Sequence, residues 1–353
     1  ASLAALPALM LAIFAPIWGS VSDNYGRKPM LLRAMFGGTV ILCLQGLAQT
    51  PFQFLVLRTL QGCITGTIAA STVLVASTSP KEEVGASLGL LQMGIFLGGS
   101  LGPMFGGAIS HLFGYRVNFY ATSSLLFIAG LIVWRLVEDD FVRPAAPKPF
   151  LKSLVPDFSP LATTPALIAL LAVVASDQIA NSITSPFLPL FIQSITPDKS
   201  MVELTTGFIQ GLGALSSAMA ALLLGKISYR LGYRRVLMIT MLSAAAYVLP
   251  QAFVKNPLQL LLLRVASAFF IGGNMPSINA LIAERAEPGK QGSVYGLSSS
   301  VSSTSNALGP AIGSAISQGG EYNLVFFATS AILALSGTSI ALFLRREKAA
   351  KPV

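Results

Sequence analysis

Charge is what this chain has least of: Asp, Glu, Lys and Arg together make up 10% of its 353 residues. A soluble globular domain carries roughly a quarter, so a single water-bathed core of this size is excluded. Histidine is reduced to His111, at the end of an apolar run beside Phe113 and Tyr115, where an interfacial place suits it better than a proton relay. Cys43 and Cys63 are the only cysteines. Both fall inside apolar runs without metal-ligand spacing, so they read as small buried hydrophobic residues and no disulfide framework is implied. No nucleophile with a base, metal-ligand set or phosphate-binding loop is present, which argues against an intramembrane enzyme.

What the chain has instead is apolar length. Hydrophobic residues make up 53% of it and its mean hydropathy is +0.71. Apolar stretches of about 20 residues recur, each long enough to cross the hydrocarbon of a bilayer as a helix. The pattern predicts helices at 1–21, 30–48, 53–77, 86–110, 117–137, 166–193, 204–225, 236–253, 258–283, 292–316 and 323–344, an all-α polytopic membrane protein with eleven spans.

The chain also repeats itself. Gly19-Ser-Val-Ser-Asp-Asn-Tyr-Gly-Arg-Lys returns in degraded form as Gly225-Lys-Ile-Ser-Tyr-Arg-Leu-Gly-Tyr-Arg. The register pairs Pro51 with Pro257, Gln53 with Gln259, Arg58 with Arg264 and Gly66 with Gly272, then shifts by one residue to pair Gly102-Pro103 with Gly309-Pro310 and Gly106 with Gly313. Such duplication points to a repeat-built transporter. It divides the chain into a first half, 1–137, a proline-rich linker, 138–165, and a second half, 166–353. The helix at 166–193 has a first-half counterpart that would precede residue 1, so twelve helices are expected of the natural protein.

The formal net charge of +9 is a topology signal and not a nucleic-acid surface. Of 23 lysines and arginines, eighteen fall on one set of alternate loops and three on the other (Arg116, Lys199, Lys255). Arg58 and Arg264 are left inside apolar helices. The positive-inside rule then puts the 19–33 loop and the C-terminus in the cytoplasm. Trp18 and Trp134 lie near helix ends, as an interfacial aromatic belt requires. The linker, with Pro144, Pro147, Pro149, Pro156 and Pro160, is expected to hold at most a short interfacial segment near Phe150 to Leu154.

The loop Gly19, Asp23, Gly26, Arg27, Lys28 resembles the signature between the second and third helices of the major facilitator superfamily, and the likeness covers essentially the whole chain. Two further stretches resemble its proton-coupled, twelve-helix drug antiporter branch: Leu57-Arg58-Thr59-Leu60-Gln61-Gly62, and Gly94 through Gly98, Gly102, Pro103, Gly106 and Gly107. The resemblance implies that the first loop is a cytoplasmic latch, with Asp23 either facing a helix N-terminus or pairing with Arg27. In the second copy Tyr229 and Tyr233 replace Asp23 and Arg27, so only the first copy should make a charged latch. Glycines at four-residue spacing form a smooth stripe on which another helix can pack backbone to backbone.

Two ionisable groups are candidates for proton coupling. Arg58 lies about five residues inside its helix, where it either works or snorkels to the interface. Asp177 is the one acid deep in a span; Asn181, Thr184 and Ser185 follow at helical spacing on the same face. It either carries a proton or serves as a structural partner. Pro186 and Pro189 should break the outer part of that helix, and broken helices mark transporter sites. By analogy with the family, Gln61, Asn181, Ser185, Phe187, Asn274, Asn279 and Arg264 are expected to line a central cavity, and the serine-rich run 298–306 either lines the path or packs.

The resemblance implies a proton-coupled exporter of amphipathic drugs in a cytoplasmic membrane, a monomer without cofactor, driven by the proton gradient. The competing readings are an exporter of one endogenous amphiphile, such as a lysolipid, glycolipid or siderophore, and a non-transporting receptor or assembly factor on the same scaffold.

Overall fold

The computed structural model describes residues 2–139, 141, 149–196, 198, 201–317 and 322–349. Pro144, Pro147, Arg143, Lys148, Lys199 and Lys351 lie outside them. The first half contains α1 (Ser2–Tyr25), α2 (Arg27–Leu47), α3 (Pro51–Ile64), α4 (Thr67–Thr78), α5 (Val84–Phe113) and α6 (Tyr115–Leu136). The linker carries α7 (Phe150–Ser153) and α8 (Ser159–Thr163). The second half contains α9 (Pro165–Thr184), α10 (Leu188–Ile195), α11 (Val202–Leu231), α12 (Tyr233–Val248) continued by a 3-10 turn to Phe253, α13 (Pro257–Gly272), α14 (Asn274–Arg285), α15 (Gln291–Ile316) and α16 (Asn323–Ala349). No strand occurs among the described residues.

Taking α3/α4, α9/α10 and α13/α14 as broken spans, the described residues hold the eleven spans that hydropathy predicts. Ten are apolar and long enough to cross a bilayer; the eleventh, serine-rich α15, has 26 residues and the same reach. The three breaks have local causes. Gly66 takes φ 129°, which a side chain rarely allows, between α3 and α4. Pro186 and Pro189 withhold donors between α9 and α10. Gly273 ends α13, and α14 starts at once.

The duplicated Pro-x-Gln is a helix start. Thr50 accepts the Gln53 amide at 3.2 Å while Gln53 Oε1 accepts the Thr50 amide at 3.3 Å, a capping box at the start of α3. Asn256 accepts the Gln259 amide at 2.9 Å and starts α13 in the same way.

The chain forms two compact units. One gathers Ala1–Ser79, Leu101–Leu167 and Ile282–Thr304; the other gathers Pro80–Ser100, Ile168–Leu281 and Ser305–Val353. Each therefore includes a helical segment from the opposite sequence half: the start of α15 in the first, the start of α5 in the second. In the first unit α2 packs along α6, where Ser123 Oγ donates to the Thr39 carbonyl at 2.8 Å. In the second, a core of Phe191, Phe326, Ile192, Ile209, Leu260 and Leu333 lies among α9–α13 and α16; the Phe191 and Phe326 rings meet edge to face at 4.9 Å.

Exposure follows the membrane and not water. Cys43 is exposed and Cys63 half-buried, against the expectation that both are buried. The outer face of a membrane helix is itself apolar, so a small hydrophobic residue needs no protein cover there. Trp134 is exposed near the end of α6, whereas Trp18 turns inward and donates Nε1 to the Cys63 carbonyl at 2.7 Å. His111 is exposed in the last turn of α5.

Candidate functional site: the latch and the buried acid

At the end of α1, Asp23 is buried and its carboxylate meets the N-terminus of α15. Oδ1 accepts the Gly292 amide at 2.6 Å; Oδ2 accepts the Ser293 amide at 2.8 Å and the Ser293 hydroxyl at 2.7 Å. These are amides that a helix leaves without internal partners, at the end where its dipole favours an anion. Of the two partners open to Asp23 in the sequence, the helix N-terminus is the one hydrogen-bonded. Arg27 donates Nη2 to Gln291 Oε1 at 2.7 Å instead. Asp139, just after α6, caps α2 by accepting the Arg27 and Lys28 amides on one oxygen at 3.0 and 2.9 Å.

Glycine makes the approach possible. A Cβ on Gly19 would strike the Gly292 carbonyl, and one on Gly296 would lie 2.6 Å from the Ala15 carbonyl. Gly26 turns the chain between α1 and α2 at φ 104°. Next to the latch, Lys290 pairs with Glu287 at 2.7 Å. Hydrogen bonds from Lys290 and then Thr163 hold the Glu287 carboxyl below its ordinary range.

In the second copy the α5–α11 contact is uncharged. Gly85 and Gly89 lie against Gly225 and Ala221, Tyr233 is buried with its ring beside Gly85, and Tyr229 is exposed.

The antiporter-like stripe differs from expectation. A Cβ at Gly94, Gly98, Gly102 or Gly107 would meet nothing within 4 Å, and Gly106 has only the Asn118 side chain near it. The Pro103 side chain lies outside the described residues. The close backbone packing of α5 is instead earlier in the helix, at Gly85 and Gly89. In the second copy the stripe is filled: Gly309 lies against Ser182, and Gly313 against Ile183 and Phe187 of the α9/α10 span. Among the described residues no helix runs along the first stripe. Glycine spacing defines a smooth surface without saying what lies on it.

Asp177 is buried in α9. Its Oδ1 accepts Asn274 Nδ2 at 2.7 Å, and Oδ2 accepts Asn181 Nδ2 at 3.3 Å. No cation pairs with it among the described residues. Asn274 is the first residue after the break at Gly273, so the acid faces the interruption of the α13/α14 span. Asn274 Oδ1 is buried without a protein partner. Asn279 is buried one turn further along α14. The expected polar face splits: Thr184 meets Thr329 of α16 at 3.0 Å, and Ser185 is exposed because the prolines end α9 at Thr184. Phe187 packs toward Tyr322. Within the serine-rich run, Ser300 donates to the Ala12 carbonyl at 2.5 Å, a packing role.

Arg58 donates Nη1 to Gln61 Oε1 at 3.2 Å and lies 5.4 Å from the centre of the Phe54 ring. Gln45 Nε2 donates to the same Gln61 oxygen at 3.1 Å. Arg264 is half-buried on α13 beside Gly213 of α11. Sequence reasoning missed Asp139, Gln291 and Ser293; polar residues just before or after a span were the only signal they offered.

Duplicated helices, broken spans, and an acid and an arginine held inside the apolar spans are the features of a polytopic membrane transporter. A sequence profile of the Major Facilitator Superfamily matches residues 1–196 and again 170–353, and the chain belongs to that family. It is 31% identical over 341 residues to multidrug resistance protein MdtG of Klebsiella pneumoniae, covering 97% of this chain and 82% of that one. It is 30% identical over 343 residues to MdtG of Salmonella typhimurium, covering 97% and 84%. Among solved structures, the human organic anion transporter MFSD10 superposes with a TM-score of 0.81 at 19% identity, over 96% of this chain and 83% of that one, a likeness of fold. The protein is thus a multi-pass membrane transporter.

Proposed function

We propose that the protein is a proton-coupled exporter of amphipathic drugs in a cytoplasmic membrane, with its C-terminus inside, exchanging substrate for protons by alternating access. The observation that carries this reading is Asp177: a carboxylate inside a span, held by two amides and, among the described residues, by no cation, beside a broken helix. A lone charge there costs about 2.5 to 3.5 kcal/mol on insertion scales. Binding a proton removes that cost, and substrate arriving nearby changes the balance between the two forms. The similarity to MdtG supports drugs as the substrate class. Asp23 acts as the latch, holding the α1–α15 seam shut until its three hydrogen bonds are released. Arg58, on the Gln61–Gln45 pair, is assigned to the proton path. No cofactor is required, and the protein acts as a monomer.

The test is substrate-evoked proton release from acidified inverted vesicles, with a panel of cationic drugs and lysolipids. Drug-evoked release that disappears in Asp177→Asn is the expected result. Release by lysolipids alone would replace drug export with export of an endogenous amphiphile. No release with any compound would refute proton antiport for this panel.

A further inference from the structure

An apolar groove of about 880 Å³ opens on the outside of the first unit, lined among others by Trp18, Arg33, Phe36, Phe127, Leu131 and Trp134. It runs between α2 and α6, with α1 behind it. Phe127, Leu131 and Trp134 are exposed, so the groove faces the lipid.

Arg33 is the exception in this lining. It comes six residues after Arg27, about 9 Å along α2 at the rise of an α-helix, which sets it at the boundary between headgroups and hydrocarbon. Its guanidinium carbon lies over the Trp18 ring, 3.5 Å from the ring centre. Nε and Nη1 are buried with no hydrogen-bond partner in the protein, and among the described residues no carboxylate pairs with it. A guanidinium keeps its charge under all ordinary conditions, so this position holds a cation that no carboxylate among the described residues compensates. Behind it is a small space of about 30 Å³, also lined by Trp18 and Arg33, room for about one water; a water hydrates a charge without neutralising it. Arg135 lies at the end of α6 beside Trp134, 5.9 Å from its ring centre, and adds a second, exposed positive charge at the rim.

We propose that this groove holds one anionic glycerophospholipid, its phosphodiester drawn to Arg33 and an acyl chain along Phe36, Phe127 and Leu131. Charge complementarity picks this occupant over a neutral lipid. The apolar lining below the arginine picks a lipid over a free anion, since basic pockets between membrane helices recognise acidic headgroups in this way. None of the residues that make the latch hydrogen bonds lines the groove, and its occupancy does not depend on what the transporter carries.

Trp18 and Trp134 are the only tryptophans in the chain, so intrinsic fluorescence reports directly on the groove. The protein is placed in phosphatidylcholine nanodiscs containing a minor fraction of dibrominated phosphatidylglycerol or of dibrominated phosphatidylcholine, and quenching is titrated. We expect the brominated anionic lipid to quench at about fivefold lower fraction, the scale of one basic residue at the membrane surface. Arg33→Gln should abolish the preference, Arg33→Lys should keep part of it, and Arg135→Gln should keep most of it. Equal quenching by the two lipids overturns the proposal, as does an undiminished preference in Arg33→Gln. Should Arg33→Gln fail to fold, Arg33→Lys decides alone, and a preference identical to the parent overturns it. Inorganic phosphate that removes the preference would also overturn it, because the site would then be one for a soluble anion.

Discussion

Asp23 and Ser293, 270 residues apart, share two hydrogen bonds on a single oxygen: the Ser293 amide and hydroxyl both donate to Oδ2, at 2.8 and 2.7 Å. Gly292 completes the set on Oδ1. A helix start is thereby capped by an acid from another helix, and the cap holds only while the two helices touch.

The latch gives the first expectation. Hydrogen bonds to a charged group contribute about 1.5 to 3 kcal/mol and neutral ones about 1. Asp23→Asn, whose amide cannot accept from all three donors, should lower thermal stability in detergent clearly more than Ser293→Ala, which removes one donor. Equal losses in the two variants would mean that the carboxylate charge contributes nothing at the helix end.

Glycine substitutions on α5 separate packed from unpacked positions. Gly89→Ala places a methyl group against the Ala221 carbonyl and should cost about 1 to 3 kcal/mol by overpacking. Gly98→Ala meets nothing within 4 Å and should be neutral, or stabilising by up to about 1 kcal/mol through helix propensity. Comparing their thermal melts decides the matter; a loss at Gly98 as large as at Gly89 would show that a helix does occupy the stripe.

For Asp177 and Asn274, 2.7 Å apart, a double-mutant cycle of Asp177→Asn and Asn274→Ala should return a coupling of about 0.6 to 2 kcal/mol, the range of hydrogen bonds between membrane helices. Additive effects on unfolding would sink the idea that Asn274 holds the acid.

Arg58 is tested by a change that keeps its charge. Lysine cannot reproduce a planar contact with Phe54 together with a directed bond to Gln61. Arg58→Lys should therefore reduce substrate-evoked proton release at least about tenfold, equivalent to about 1.4 kcal/mol, with little change in melting temperature. Full activity in this variant would return Arg58 to plain snorkelling.

The spans, their number and the break at Pro186 and Pro189 were legible because each is a local property. Apolar length and Pro186 act on their own neighbours in the chain, and duplication prints the pattern twice, whereas the breaks at Gly66 and Gly273 fall inside stretches that hydropathy reads as unbroken, 53–77 and 258–283. The buried acid was legible for the same reason, since a carboxylate in an apolar run stands out without knowledge of its partners. The tertiary structure decided what each group meets. Nothing near Asp23 names Ser293, nothing near Asp177 names Asn274, and Asp139 is one of several acids after a span until it is seen capping α2. It also decided that Gly85 and Gly89 carry the close contact of α5 while the better-spaced glycines beyond them have none. Spacing records how smooth a helix face is; only the arrangement of helices says what covers it. Arg33 makes the same distinction: in sequence it is one more cation at a helix end, and in the fold it is a charge stacked on Trp18 at the head of an apolar groove.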